Sequence, residues 1–210
     1  MGNEYVSQFT AAALATVPVY YGFAVKNALQ EGRSLPRLSA RAYSVGVARA
    51  APLLALQTVV QSSLQKKFNW GAFGSSFIVG ACSVVPMAAF NGAASGYSYR
   101  ESLQRLTKRQ FAALTVRDTG FLFFFALAAP LSEAAKRRWG DNATVDYSTR
   151  FTLGAVGSLI VHPADTAFTL WQQGASVDAW RHLYRGAGVR AATVGAFSCL
   201  YHLFKNSLDD

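Results

Sequence analysis

Residues 120–131 read GFLFFFALAAPL, an apolar run that covers the whole circumference of a helix and leaves no polar stripe. Such a run favours a helix that crosses a membrane. The composition agrees, because 51% of the 210 residues are apolar and only 15% are charged, whereas soluble domains contain about 25% charged residues. A soluble, apolar-rich helical bundle is the alternative, and it would leave this apolar surface bare in water.

The apolar run is one of six comparable stretches. A bilayer core needs roughly 20 mostly apolar residues per helix. The stretches that approach this length are about residues 5–26, 42–65, 70–92, 110–135, 150–173 and 186–206. The last five are interrupted by Arg, Asp, Gly or Pro, which predicts a polytopic bundle with its polar residues turned inward.

The connections between these stretches differ in charge. The first, third and fifth connections hold ten Lys or Arg against three acidic residues, and the others hold six against three. Basic residues concentrate on the cytoplasm-like side of a membrane, so both termini are predicted to face the opposite side. The first stretch follows Glu4 where a signal peptide would have a basic region, so we expect a retained helix.

Proline and arginine recur with a period of about 70 residues, with proline in the odd stretches and arginine in the even ones. The prolines are Pro18, Pro86 and Pro163, and the arginines are Arg49, Arg117 and Arg190. A fixed period indicates repeated structural units. The chain is therefore predicted to be one membrane domain of three helix hairpins with pseudo-threefold symmetry, covering about residues 1–68, 69–145 and 146–210.

Several short motifs accompany these repeats. They are Pro163-Ala164-Asp165, Tyr184-Arg185-Gly186, Gly186-x-x-x-Arg190, the sequence RAAP at 49–52, and Arg117-Asp118. With them the chain resembles a shortened, degenerate member of the mitochondrial carrier family. The resemblance implies six tilted membrane helices around a central cavity, kinked at the three prolines. The chain is short for that family, so the helices that would lie on the matrix side must be trimmed or absent.

The family's charged gates are largely missing. Its Pro-x-Asp/Glu-x-x-Lys/Arg motif keeps one acid, Asp165, and none of its three cations, since Phe23, Asn91 and Phe168 stand in their places. At the opposite gate, His202 replaces an acid. Asp165 is thus predicted to be a residual matrix gate, and the closed side is predicted to be held by packing.

Two candidate sites remain. The first is the set of Arg49, Arg117 and Arg190, whose guanidinium groups could bind a carboxylate or phosphate in the cavity. The alternative is that each arginine pairs inside the bundle, for instance with Asp118 or Asp165.

The second candidate site is the segment Tyr184, Arg185 and Gly186. It resembles the family's site for a lipid phosphate, which would hold an anionic lipid such as cardiolipin. The alternative is a plain interfacial anchor, with Tyr and Arg at the depth of the headgroups.

The sequence contains no catalytic constellation, metal-ligand spacing or nucleic-acid-binding module, so we expect no enzyme, no metal and no partner other than lipids and protein subunits. One predicted function is a structural subunit of a mitochondrial inner-membrane complex, such as a respiratory complex or the ATP synthase, in a chain that has lost transport. The other is a small carrier that exchanges an anionic metabolite by alternating access. A carrier-derived protein that assists membrane insertion would share the lost gates.

Overall fold

The computed structural model describes residues 2–94, 97–177 and 179–209, and this part of the chain is helical without a β-strand. The helices, in chain order, are α1 (Gly2–Gln30), α2 (Ala40–Phe68), α3 (Ala72–Cys82), α4 (Val84–Ala94), α5 (Tyr99–Gln104), α6 (Lys108–Trp139), α7 (Ala143–Ile160), α8 (His162–Gln172) and α9 (Ala187–Asp209), with a 3-10 helix at Trp180–Tyr184. The prediction of an all-helical protein is confirmed.

Two helices of the described chain, α2 and α6, are long and apolar enough to cross a membrane. The pair α3 and α4 qualifies as a third span if its two helices are taken together across a bend of 54°. The helix α6 contains the apolar run at 120–131.

Two of the three predicted kinks coincide with interruptions of a helix. The helices α3 and α4 are separated at Ser83, shortly before Pro86, and α7 and α8 are separated at Val161, shortly before Pro163. Proline lacks a backbone N–H and its ring clashes with the preceding turn, which explains both interruptions. At Pro18 the helix α1 continues without a break.

The helices follow one another around a closed ring. Contacts join α1 to α2, α2 to α3, α3 to α6, α6 to α7, α7 to α9, and α9 back to α1. Glycines permit two of these close approaches. A Cβ on Gly80 of α3 would lie 2.8 Å from the Thr119 backbone nitrogen of α6, and one on Gly154 of α7 would lie 2.9 Å from the Val194 carbonyl oxygen of α9.

An apolar core lies between α1, α2, α6 and α9. Phe197 is completely buried there, with its ring centroid 6.0 Å from that of Phe121 and 5.9 Å from that of Phe125. The ring of Phe125 also meets Tyr201 edge-on at 4.8 Å. We call these four rings the aromatic core. Because its members and their neighbours come from four helices of the ring, the aromatic core fills part of the bundle's interior.

The connections between helices are short. The first connection, between α1 and α2, contains no helix. The third, between α4 and α6, contains α5 with six residues, and the fifth, between α8 and α9, contains the five-residue 3-10 helix. The helix α5 begins with a capping box in which Ser98 and Glu101 bond to each other's backbone amides. Thr107 and Gln110 form the same arrangement at the start of α6.

Candidate functional site

A cluster of buried charges surrounds Asp165, which is 1% exposed. Its Oδ2 atom lies 2.6 Å from Lys26 Nζ and 2.7 Å from Arg190 Nη1, and its Oδ1 atom lies 3.3 Å from Arg117 Nη1. Gln30 Nε2 donates a further hydrogen bond to Oδ2 at 2.8 Å. One carboxylate therefore links α8 to α1, α6 and α9.

The backbone brings these groups together at helix ends. Asp165 occupies the first turn of α8, where the helix dipole favours a negative charge. Arg190 occupies the first turn of α9, and its amide donates to the Gly186 carbonyl at 3.0 Å. Gly186 has φ +77°, and a Cβ there would lie 3.2 Å from the Lys26 carbonyl oxygen. Glycine is therefore required at the turn that brings Arg190 beside α1.

A second carboxylate, Asp118, completes the cluster. Arg117 Nε donates to Asp118 Oδ1 at 2.7 Å, and Gln57 Nε2 and Ser83 Oγ donate to Oδ2, each at 3.3 Å. All five charged groups are at most 6% exposed. Three cations face two carboxylates, so the cluster, which we call the Asp165 cluster, has a formal charge of +1. Each buried ion costs several kcal/mol of desolvation, which only this dense pairing offsets.

A small cavity of about 80 Å³ adjoins the Asp165 cluster. Its charged wall is the cluster itself, and its apolar wall includes Phe23, Phe90 and Phe121. A cavity needs about 10–15 Å³ to hold a water molecule, so this one has room for water or for a small anion. Within the described part of the chain, Arg117 Nη2 is buried without a hydrogen-bond partner.

The three predicted arginines do not form one site. The structure brings Arg117 and Arg190 together at Asp165 but places Arg49 elsewhere, exposed in a separate groove beside Tyr20. Arg117 and Arg190 have internal carboxylate partners, the predicted alternative to an anion site.

Lys26 was missed as a member of the site. The predicted first helix ended at about residue 26, which placed Lys26 in a basic connection, but α1 continues to Gln30 and Lys26 is 5% exposed. Packing alone was expected at this end of the bundle, and the structure places the ion pair of Lys26 and Asp165 there. Lys26 lies three residues after Phe23, and such spacing keeps both residues on one helix face.

The segment Tyr184, Arg185 and Gly186 joins the 3-10 helix to α9. Tyr184 is 46% exposed, and its ring meets Trp180 edge-on with centroids 6.0 Å apart. His162, which is completely buried, donates from Nε2 to the Arg185 carbonyl at 2.9 Å. The segment is therefore tied to α8, close to the Asp165 cluster.

Ion pairs also occur at the opposite end of the bundle, where charged gates were expected to be lost. Asp146 accepts a hydrogen bond from Arg150 Nε at 2.7 Å, and its other oxygen lies 2.8 Å from His202 Nε2. Lys66 pairs with Glu4 of α1. His202 of α9 thus contacts a carboxylate on the neighbouring helix α7.

Comparisons with protein-family models, with curated protein sequences and with solved structures find no match to this chain. Over the residues that the structure describes, no group of His, Cys, Asp and Glu side chains is arranged to hold a metal ion.

Proposed function

We propose that this chain is a carrier-like protein of the mitochondrial inner membrane that has lost transport and acts as a structural, accessory subunit of a larger membrane complex, such as a respiratory complex or the ATP synthase. Its six spans would be α1, α2, the pair α3–α4, α6, the pair α7–α8, and α9, arranged as three hairpins. Both termini would face the intermembrane space. The motifs that resemble the carrier family support the location, and the ring of helix contacts supports the arrangement.

The observation that carries the proposal is the occupied interior of the bundle. A carrier that works by alternating access must open a closure at each end in turn. Here Asp165 has three cationic partners from three helices, and breaking one buried ion pair costs about 3–5 kcal/mol. The aromatic core lies beyond this cluster, between α1, α2, α6 and α9. Opening such an interior repeatedly would be costly, whereas a structural subunit benefits from its rigidity.

The outer surface supports the same proposal. Large apolar side chains stand exposed on several helices, among them Phe73 at 63%, Val116 at 54% and Ile160 at 60%. Exposed apolar patches of this kind mark contacts with lipid or with protein partners. An accessory subunit would use this surface to meet both.

The test is gentle extraction of the tagged protein from its native membrane, followed by native electrophoresis and identification of co-migrating chains. We expect the protein in a defined complex far larger than its own 22.6 kDa. The surface variant Phe73→Ala, whose fold is first verified by melting, is extracted in the same way. Its retention in the complex is compared with that of the native protein. Quantitative migration of the native protein as a free monomer would refute the proposal.

Anion exchange is the second candidate function, and one observation favours it. The Asp165 cluster carries a formal charge of +1, and Arg117 Nη2 is unpartnered beside a cavity of about 80 Å³. Its test is the exchange of labelled dicarboxylate or phosphate in liposomes with the native chain and Arg117→Ala. Exchange that disappears in this variant would establish transport and overturn the structural assignment.

An anionic lipid such as cardiolipin at Tyr184, Arg185 and Gly186 is part of either proposal.

A further inference from the structure

A basic groove lies between the first connection, α1, α2 and the end of α4. Two adjoining cavities of about 830 and 410 Å³ form it, and both are lined by Tyr20 and Phe90. The connection is held over α1 by a hydrogen bond of 3.3 Å from the Tyr21 hydroxyl to the Pro36 carbonyl. The groove is therefore a shaped feature of the fold.

Arginines supply the charge of the groove. Arg41 and Arg49 are eight residues apart in α2, so they stand on one face of the helix, two turns from each other. Arg37 approaches from the connection, and Arg33 also lines the groove but pairs with Glu31. Among the described residues, neither cavity has an acidic residue in its lining.

Three of these cations have no internal partner in the part of the chain that the structure describes. Across the described residues, no ion pair or hydrogen bond engages the side chain of Arg37, Arg41 or Arg49. This differs from the Asp165 cluster, where every cation faces a carboxylate. An anion bound in the groove would therefore meet arginine side chains that no carboxylate of the described chain already occupies.

The other wall of the groove is aromatic. The Tyr20 ring meets Tyr43 edge-on at 5.5 Å, and its hydroxyl lies against Gly46, where a Cβ would overlap the ring. Gly46 lies between Arg41 and Arg49 on α2, so the glycine lets the tyrosine reach the arginine-lined face. Phe90 belongs to the walls of both this groove and the cavity at Asp165.

We propose that the basic groove binds a phosphate ligand with at least two negative charges, held by Arg37, Arg41 and Arg49 against Tyr20 and Phe90. Guanidinium groups bind phosphate oxygens in bidentate fashion, which suits arginine better than lysine for this contact. The ligand is either the headgroup of an acidic phospholipid or a soluble diphosphate, since both present the same chemistry. This site is separate from the Asp165 cluster and does not depend on whether the chain is a subunit or a carrier.

The test uses the purified full chain with two probes. Sodium pyrophosphate is titrated calorimetrically in a neutral detergent, and melting is followed in nanodiscs of phosphatidylcholine with and without cardiolipin. The test variant is the double substitution Arg41→Gln with Arg49→Gln. The control is Arg100→Gln with Arg109→Gln, two exposed arginines outside the groove. Loss of two charge-assisted contacts should weaken binding about 100-fold, whereas the control should stay within about twofold of the native chain.

The two probes separate the possible sources of the ligand. Binding of pyrophosphate that the test variant loses identifies a soluble diphosphate site. Stabilisation by cardiolipin alone, reduced in the test variant and unchanged in the control, identifies a lipid site in the groove, because a lipid at Tyr184, Arg185 and Gly186 would stabilise both variants equally. The proposal is overturned if the native chain responds to neither probe, or if both double variants lose the response equally. The ligand-free test variant should melt like the native chain, since both side chains are exposed and have no ion pair or hydrogen bond in the described structure, so a folding defect will not imitate lost binding.

Discussion

Replacing Asp165 with asparagine would test whether the Asp165 cluster holds the bundle together. The substitution keeps the shape of the side chain but removes the charge that Lys26, Arg117 and Arg190 share. Breaking one buried ion pair by removing a partner costs about 3–5 kcal/mol. Three cations would then face Asp118 alone, so we expect at least this loss in the free energy of unfolding, a large part of the 5–15 kcal/mol typical of a folded domain.

The assay is thermal unfolding of the purified protein in detergent, followed by tryptophan fluorescence. For a chain of this size a loss of 3–5 kcal/mol corresponds to a fall in melting temperature of roughly 6–20 °C. Asp141→Asn is the matched control, because it removes a carboxylate whose side chain is 81% exposed and pairs with Lys136. That control should change the free energy of unfolding by less than about 1 kcal/mol.

A double-mutant cycle isolates the pair of Lys26 and Asp165. In the Asp165→Asn background, Lys26→Gln removes a cation that has lost its partner, so it should recover part of the stability. We expect a coupling energy of about 0.5–3 kcal/mol between the two positions. If Asp165→Asn melts like the Asp141→Asn control, or if the two substitutions are simply additive, the cluster does not stabilise the fold as argued.

Three further predictions concern the rest of the fold. Phe197→Ala should lower the free energy of unfolding by about 3–5 kcal/mol because the ring is completely buried. Phe73→Ala should lower it far less, since Phe73 is 63% exposed. Thermal melting of both variants measures the difference. Gly186→Ala, at φ +77°, should cost on the order of 1–3 kcal/mol, whereas Gly188→Ala, with open space around it, should be nearly neutral in the same assay. The pKa of Glu101 is lowered by hydrogen bonds from the Ser98 side chain and backbone amide. The helix α5 should therefore lose protection in hydrogen exchange as the pH falls below 4.5, the ordinary pKa of a glutamate. Glu101→Gln should remove this pH dependence.

The helices could be predicted from the sequence because their signals are local. The apolar run at 120–131 identifies a helix by its own composition, and it lies within α6. The interruptions near Pro86 and Pro163 agree with the missing amide of proline, which is a local property of the sequence. Pro18 shows the limit of this reasoning, since α1 is continuous there. Whether a proline interrupts a helix depends also on the neighbouring helices that pack against it.

The site depended on contacts that no local pattern contains. Asp165 and its arginine partners in α6 and α9 were named from the sequence, but Lys26 lies 139 positions from Asp165 and was placed in a connection. Arg49 shares the spacing of Arg117 and Arg190, yet it faces the basic groove. Spacing along the chain determines which turn of a helix holds an arginine. Only the packing of helices distant in sequence decides which carboxylate, if any, lies within reach, because the interaction energy depends on separation in space and on burial.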